Sequence, residues 1–233
     1  MAENLVTVAC AAERQFVFAP RKTALLLIDM QKDFLAPGGL CDSLGEDIAV
    51  MRPIIPRIQR LLAVLRRGGV RVIHTREGYA PDLSDVNPLK RSRGTVGQPG
   101  PLGRFLIRGE PGHDFIDELR PEPGERVVDK PGFGAFFRTD LEDHLRAAGI
   151  THLLIAGVTS QCCIQSSLRE AVDRGFFCLT LADCCAALDP RLHEATLTAI
   201  QGENHLFGWI ATADAALAAL ADQATAGDPA QRA

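Results

Sequence analysis

The chain lacks any run of 18 apolar residues, so no membrane-spanning helix is expected. It lacks a basic excess: Lys plus Arg number 25 against 29 Asp plus Glu, a formal charge of −4, which argues against a nucleic-acid surface. The opening MAENLVTVACAAERQFVF has neither the basic start nor the long apolar core of a secretory signal. Cysteine is modest and odd in number, seven in 233 residues, and two pairs are adjacent, Cys162-Cys163 and Cys184-Cys185. Neighbouring cysteines rarely staple a fold, so reduced thiols in a cytoplasm are the expectation. No internal repeat is present.

What is there is ordinary globular composition, 46% hydrophobic and 23% charged. The length allows one large domain or two small ones. Short runs rich in Val, Ile and Leu recur: TALLLID (23–29), VRVIHT (70–75), ERVVDK (125–130), THLLIAG (151–157) and FFCLTLAD (176–183). Such runs suit strands buried on both faces of a parallel sheet. Helical spacing fills the intervals over 47–67, 139–148, 163–174 and about 190–200, with Thr139 and Glu142 placed as a capping box. The alternation predicts an α/β fold, a three-layer α/β/α sandwich around a mainly parallel sheet. Residues 1–20 are taken as an N-terminal extension, 21–220 as the domain and 221–233 as a frayed tail. Residues 79–124 hold seven of the 14 prolines and the basic cluster Lys90-Arg91-Ser92-Arg93, and read as a long functional loop or lid.

Ligands of an open parallel sheet bind beyond the carboxyl ends of its strands. The first predicted strand exits at Asp29, the third at Lys130, and the fourth into Gly157-Val158-Thr159-Ser160-Gln161-Cys162-Cys163. Each alone has an ordinary reading as a turn former, a solvated lysine or a small core residue. Together a carboxylate, an ammonium and a thiol supply a proton acceptor, a cation and a nucleophile, the parts of covalent acyl transfer. A thiol at a helix N-terminus is activated by the free N–H groups and the helix dipole, and the same N–H groups can hold an oxyanion. Neighbouring helix positions differ by about 100°, so one cysteine is expected to face the cleft and the other to pack inside. Spacing alone leaves open which.

The strings LLLIDMQKDFLAPGG (25–39), VVDKPGFGAFFRTDLE (127–142) and AGVTSQCCIQSSLREAVDRGF (156–176) resemble the isochorismatase-like cysteine hydrolases, over roughly residues 20–215. The resemblance implies that Cys163, in register with Gly157-Val158-Thr159, is the nucleophile, and that Cys162 holds a place usually apolar. It implies Asp29 as general base and Lys130 as third member of the triad. It also implies a cis peptide before Thr159, with the N–H groups of Thr159 and Cys163 as oxyanion hole. Gln31 and Phe34, next to Asp29, are candidate pocket walls.

Departures narrow the expectation. Nicotinamidases of this superfamily carry an Asp-x-His pair and a further His after the second strand; here that place reads Thr75-Arg76-Glu77-Gly78-Tyr79, so no metal and no cofactor are expected. Isochorismatases proper lack the nucleophilic cysteine, so Cys163 argues against vinyl-ether cleavage. HTREGYAPDLSD (74–85), GPLGRFLIRGEPGHDFIDEL (100–119) and LREAVDRGFFCLTLADCCAAL (168–188) resemble the biuret, triuret and ureidoacrylate branch. Where biuret hydrolases place a substrate-binding Gln ahead of a Phe-Gly pair, counting back from Phe207-Gly208 gives Glu203. An ionised Glu only accepts hydrogen bonds, so Glu203 would suit substrate N–H or cationic groups if it lines the pocket, and is otherwise a surface-turn residue. The expectation is a metal-independent amidohydrolase of a small ureide, carbamoyl or amide compound, assembled as a homo-oligomer, dimer or tetramer, with no nucleic-acid or membrane partner. The alternatives are a nicotinamidase-like amidase and a thiol redox or ligand-sensing protein on the same fold.

Overall fold

The apolar runs become neighbouring strands, and a hairpin that the sequence pattern did not announce precedes them. In the computed structural model, which describes residues 4–226, the chain opens with an antiparallel pair, β1 (Val6–Ala9) and β2 (Gln15–Phe18). β3 (Thr23–Ile28) leads into two short helical turns, α1 (Lys32–Leu35) and α2 (Leu40–Ser43), and then the long helix α3 (Ile54–Arg67). β4 (Arg71–Glu77) feeds the 79–124 segment, which contains α4 (Pro88–Ser92) and a small antiparallel pair, β5 (Pro99–Gly100) and β6 (Gly103–Arg104). The remainder runs β7 (Arg126–Lys130), α5 (Leu141–Ala147), β8 (His152–Val158), α6 (Gln165–Asp173), β9 (Phe177–Ala186), α7 (Pro190–His205), β10 (Trp209–Ala211) and α8 (Ala213–Ala226).

Six strands pair in parallel in the order β10-β9-β8-β3-β4-β7. β3 is buried on both faces, as its unbroken TALLLI run requires. Leu25 and Leu27 face one core with Ile58 and Leu61 of α3 and Ala216 and Leu220 of α8. Ala24, Leu26 and Ile28 face a second core with Leu145 of α5, Leu168 of α6 and Ile200 of α7. Helices therefore cover both faces, giving the three expected layers. The chain winds from β3 out through β4 to β7, then returns to lay β8 against the other side of β3. The topological switch point thus lies between the exits of β3 and β8.

Gly157 makes that juxtaposition possible. It has a φ of 122°, and a Cβ there would stand 2.0 Å from the Ile28 carbonyl oxygen. Only glycine lets β8 close on β3 at this level.

Several local expectations are corrected. The 1–20 extension is integral: Val6, Val8, Phe16 and Phe18 lie in the first core. The helix expected over 47–67 is broken into a 3-10 turn, Ile48–Val50, and α3, because Pro53 disfavours helical geometry in the residue before it. Thr139 is not the N-cap of α5; Asp140 is, while the Thr139 hydroxyl donates to the Ala135 carbonyl at 2.7 Å and Glu142 pairs with Arg174 at 3.0 Å. α8 continues through 221–226, where a tail was expected, and the rest of that tail, 227–233, lies outside the described residues.

Candidate active site

The exits of β4 and β8 open on one cavity of about 220 Å³, whose wall includes Glu77, Lys90, Thr159, Cys162 and Cys163, and Asp29 at the exit of β3 comes within 4.8 Å of the Glu77 and Cys163 ligand atoms. Asp29 leaves β3 with a φ of 54°, a left-handed turn that an aspartate tolerates. Its carboxylate is fully buried. Thr75 from β4 donates to its Oδ1 at 2.6 Å, and the Lys130 ammonium at the end of β7 stands 2.7 Å from Oδ2. Lys130 also donates to the carbonyls of Gly132 and Phe133 at 2.9 and 3.0 Å, so the Pro131-Gly132 turn fixes the ammonium in place.

Beyond β8 the Val158–Thr159 peptide is cis, as the resemblance implied. Ser160–Ile164 then forms a π turn ahead of α6. Cys163 lies inside this turn, 4% exposed, with Sγ 3.7 Å from Glu77 Oε2. The expectation that one cysteine would face away is overturned: both Cys162 and Cys163 line the cavity. A π turn is wider than the α-helix assumed in the 100° argument, and the cavity wraps around it.

The charge states follow from burial and neighbours. Burial pushes the Asp29 carboxyl up, opposed chiefly by Lys130. Burial would push Lys130 down, but Asp29, Cys163 and Glu77 outweigh it and hold the ammonium above the usual lysine range. The Cys163 thiol is pushed well up, first by its hydrogen bond with Cys162, then by burial, with Lys130 opposing. Cys162 moves down through that same bond. Helix-terminus activation is thus outweighed at Cys163, which rests as a thiol and needs a base. Asp29 has an oxygen within 4.8 Å of the Cys163 sulfur. A carboxylate made more basic by burial, beside a neutral thiol and held by a fixed ammonium, can take a proton and release a sulfur nucleophile.

Two residues on the wall were missed by sequence reasoning. Glu77 ends β4 and is 3% exposed. Its Oε1 accepts from the Tyr79 hydroxyl at 2.9 Å and pairs with Lys90, leaving Oε2 directed at Cys163. The second predicted strand stops at Thr75, two residues short; with the observed end of β4 the strand-exit argument applied to Asp29 and Lys130 reaches Glu77. Lys90 comes from the basic cluster in 79–124: Asn87 caps α4 by accepting from the Lys90 N–H at 2.9 Å, and the Lys90 ammonium lies 3.7 Å from the centre of the Phe133 ring.

Of the three suggested substrate contacts, the structure places Phe34 on the wall. Gln31 is instead a buried brace: its amide donates to the carbonyls of Glu77 and His113 at 3.0 and 3.1 Å and accepts from the Glu77 N–H at 2.7 Å. Glu203 is exposed on the surface, outside the cavity wall. α7 loses helical geometry at Gly202, and Glu203 and Asn204 turn left-handed with φ of 50° and 61°, carrying the side chain outward.

Asp29, Glu77 and Cys163 are, among the described residues, the one group whose ligand atoms could meet on a metal ion. They fit a cation poorly. Each carboxylate already holds a lysine ammonium, Lys130 on Asp29 and Lys90 on Glu77, and no imidazole joins the set.

The isochorismatase-domain family pattern matches residues 23–215. The ureidoacrylate amidohydrolase RutB of Serratia proteamaculans is 33% identical over 215 residues, covering 88% of this chain and 85% of its own length. The same-named protein of Pantoea ananatis is 31% identical over 204 residues, covering 84% and 80%. A cysteine hydrolase of Pseudomonas syringae pv. phaseolicola superposes with a TM-score of 0.79 at 26% identity, over 96% of this chain and all of that one.

Proposed function

The chain belongs to the isochorismatase family, and from that premise we propose that it is a metal-independent cysteine amidohydrolase that cleaves a C–N bond of a small ureide, carbamoyl or amide compound. The observation that carries the reading is the meeting, within 4.8 Å, of the Cys163 thiol, the Glu77 carboxylate and the Asp29 carboxylate, which is paired with Lys130, where Cys163 and Glu77 line the cavity. The two relatives named for ureidoacrylate hydrolysis support the substrate class.

In this reading Asp29 takes the Cys163 proton and the sulfur attacks the substrate carbonyl carbon. The N–H groups of Thr159 and Cys163 receive the developing oxyanion. Lys130 holds Asp29 in place and balances charge as the thiolate forms. The C–N bond breaks, and the departing nitrogen takes the proton from Asp29. Asp29 then removes a proton from water, which attacks the thioester and returns the thiol with the acid product. Glu77 Oε2 accepts an N–H of the substrate, which favours ureides and amides over esters.

The test is ammonia release from a panel of ureides, primary amides and N-carbamoyl amino acids. The native protein, extensively dialysed against EDTA, is expected to turn over at least one ureide, Cys163→Ser none, and a quenched reaction should show the acyl adduct on Cys163 by mass. Activity in Cys163→Ser, or activity lost to EDTA and restored by zinc, would overturn the proposal.

A further inference from the structure

The charges around the cavity pair off, with one exception. Asp29 is matched by Lys130, and Glu77 by Lys90. Arg93, at the C-terminal end of α4 and also on the cavity wall, has no hydrogen-bond or ion-pair partner for its guanidinium among the described residues. The other arginines of the 79–124 segment all have one. Arg91 donates to the Leu83 carbonyl, and Arg104, Arg108 and Arg120 pair with Glu110, Asp85 and Asp114. Lys90 and Arg93 stand three apart on the short helix, a spacing that aims both to one side. Lys90 is buried against Glu77, and Arg93 is exposed at the rim.

We infer that Arg93 binds a carboxylate at the far end of the substrate, so that the substrate is an anionic ureido or N-carbamoyl acid. This rests on the amidohydrolase reading and names its substrate class. The cavity is then ordered from floor to rim. The carbonyl sits at Cys163, its nitrogen faces Glu77, and a short carbon chain lies against Phe34, Leu106 and Phe133. The anion meets the unpaired guanidinium, whose planar fork matches a carboxylate with two parallel hydrogen bonds. A neutral substrate such as biuret leaves that charge unanswered.

The experiment compares an N-carbamoyl acid that the native protein hydrolyses with the same compound carrying a carboxamide in place of its carboxylate. Both are assayed with the native protein, Arg93→Gln and Arg93→Glu. The native protein should favour the acid by about tenfold or more in kcat/KM. Arg93→Gln should erase that preference by raising KM for the acid while leaving kcat, and both constants on the carboxamide, near native. Arg93→Glu should reverse the preference. Because Arg93 is exposed, the carboxamide rate serves as the control for folding. An acid preference that survives Arg93→Gln, or parallel losses on both compounds, overturns the inference while the amidohydrolase reading stands. No hydrolysis of any ureide or amide by the native protein overturns that reading, and this inference with it.

Discussion

Lys130 Nζ stands 2.7 Å from Asp29 Oδ2, and neither side chain is exposed to solvent. A buried pair of this kind gives little net stability, but either member alone is costly, because the other is left as an uncompensated charge. The proximity sets the basicity of Asp29, since Lys130 is the strongest influence opposing its burial.

Lys130→Met should therefore do two things. Asp29 loses the cation that holds it in place, and its carboxylate is left buried without a balancing charge, no longer positioned as a base. The kcat is expected to fall by roughly a factor of 10³, within the range for a lost general base. Stability should drop by about 3 kcal/mol, read by urea denaturation. Adding Asp29→Asn removes the orphaned charge, so the double variant should regain part of that stability and none of the activity. A double variant less stable than the single one would show that the pair does not carry this coupling.

The two thiols make a second prediction. The hydrogen bond with Cys162 is the largest influence raising Cys163. Cys162→Ala removes it, so the Cys163 thiol should titrate at lower pH. The rate of iodoacetamide labelling at Cys163, followed by peptide mass, should reach its midpoint at lower pH than in the native protein. Turnover should remain mostly intact. An inactive Cys162→Ala beside an active Cys163→Ser would reverse the assignment of the nucleophile.

The sheet and the placing of Asp29, Lys130 and the Cys162-Cys163 pair at strand exits were legible because they rest on short-range signals, whereas the choice of Cys163 came from the family resemblance. A continuous apolar run means a strand buried on both faces, and strand exits are where an open sheet binds ligands. What stayed hidden depends on tertiary context. β1 and β2 have four residues each and read as a polar-spaced extension until Phe16 and Phe18 find the core. The π turn at Cys163 is a local departure that helical periodicity does not announce. Gln31 and Glu203 failed as pocket residues for opposite reasons. Gln31 is consumed by backbone partners from two other segments. Glu203 follows a helix that breaks at Gly202, one residue before it. Lys90 and Arg93 were visible as a basic cluster, but only the fold shows that one is neutralised by Glu77 and the other is not.

Asp33 supplies a prediction in which pH decides. It sits on α1, buried, and its Oδ2 accepts from the backbone N–H of Leu106 at 2.8 Å, which pins the 79–124 segment where it forms the cavity wall. Burial pushes its carboxyl up to about 6, although the N–H groups of Leu106 and Leu40 pull the other way. Its Oδ1 is buried without a hydrogen-bond partner, the natural seat of a proton. An unfolded aspartate titrates near about 3.9. Between the two values the folded protein binds more protons than the unfolded chain. The Asp33 contribution is therefore fully present below about pH 4 and is lost as pH rises through about 6. A shift of about two units corresponds to roughly 3 kcal/mol, taken as an upper figure. Asp33→Asn keeps a carbonyl oxygen to accept from Leu106 and cannot ionise. Measured by urea denaturation at several pH values, the variant should gain on the native protein as pH rises from about 4 to about 7, by up to about 3 kcal/mol, and then run parallel to it. Stability curves that stay parallel across the whole range would mean that Asp33 keeps an ordinary carboxylate titration, and that the segment is pinned by an ionised group at every pH tested.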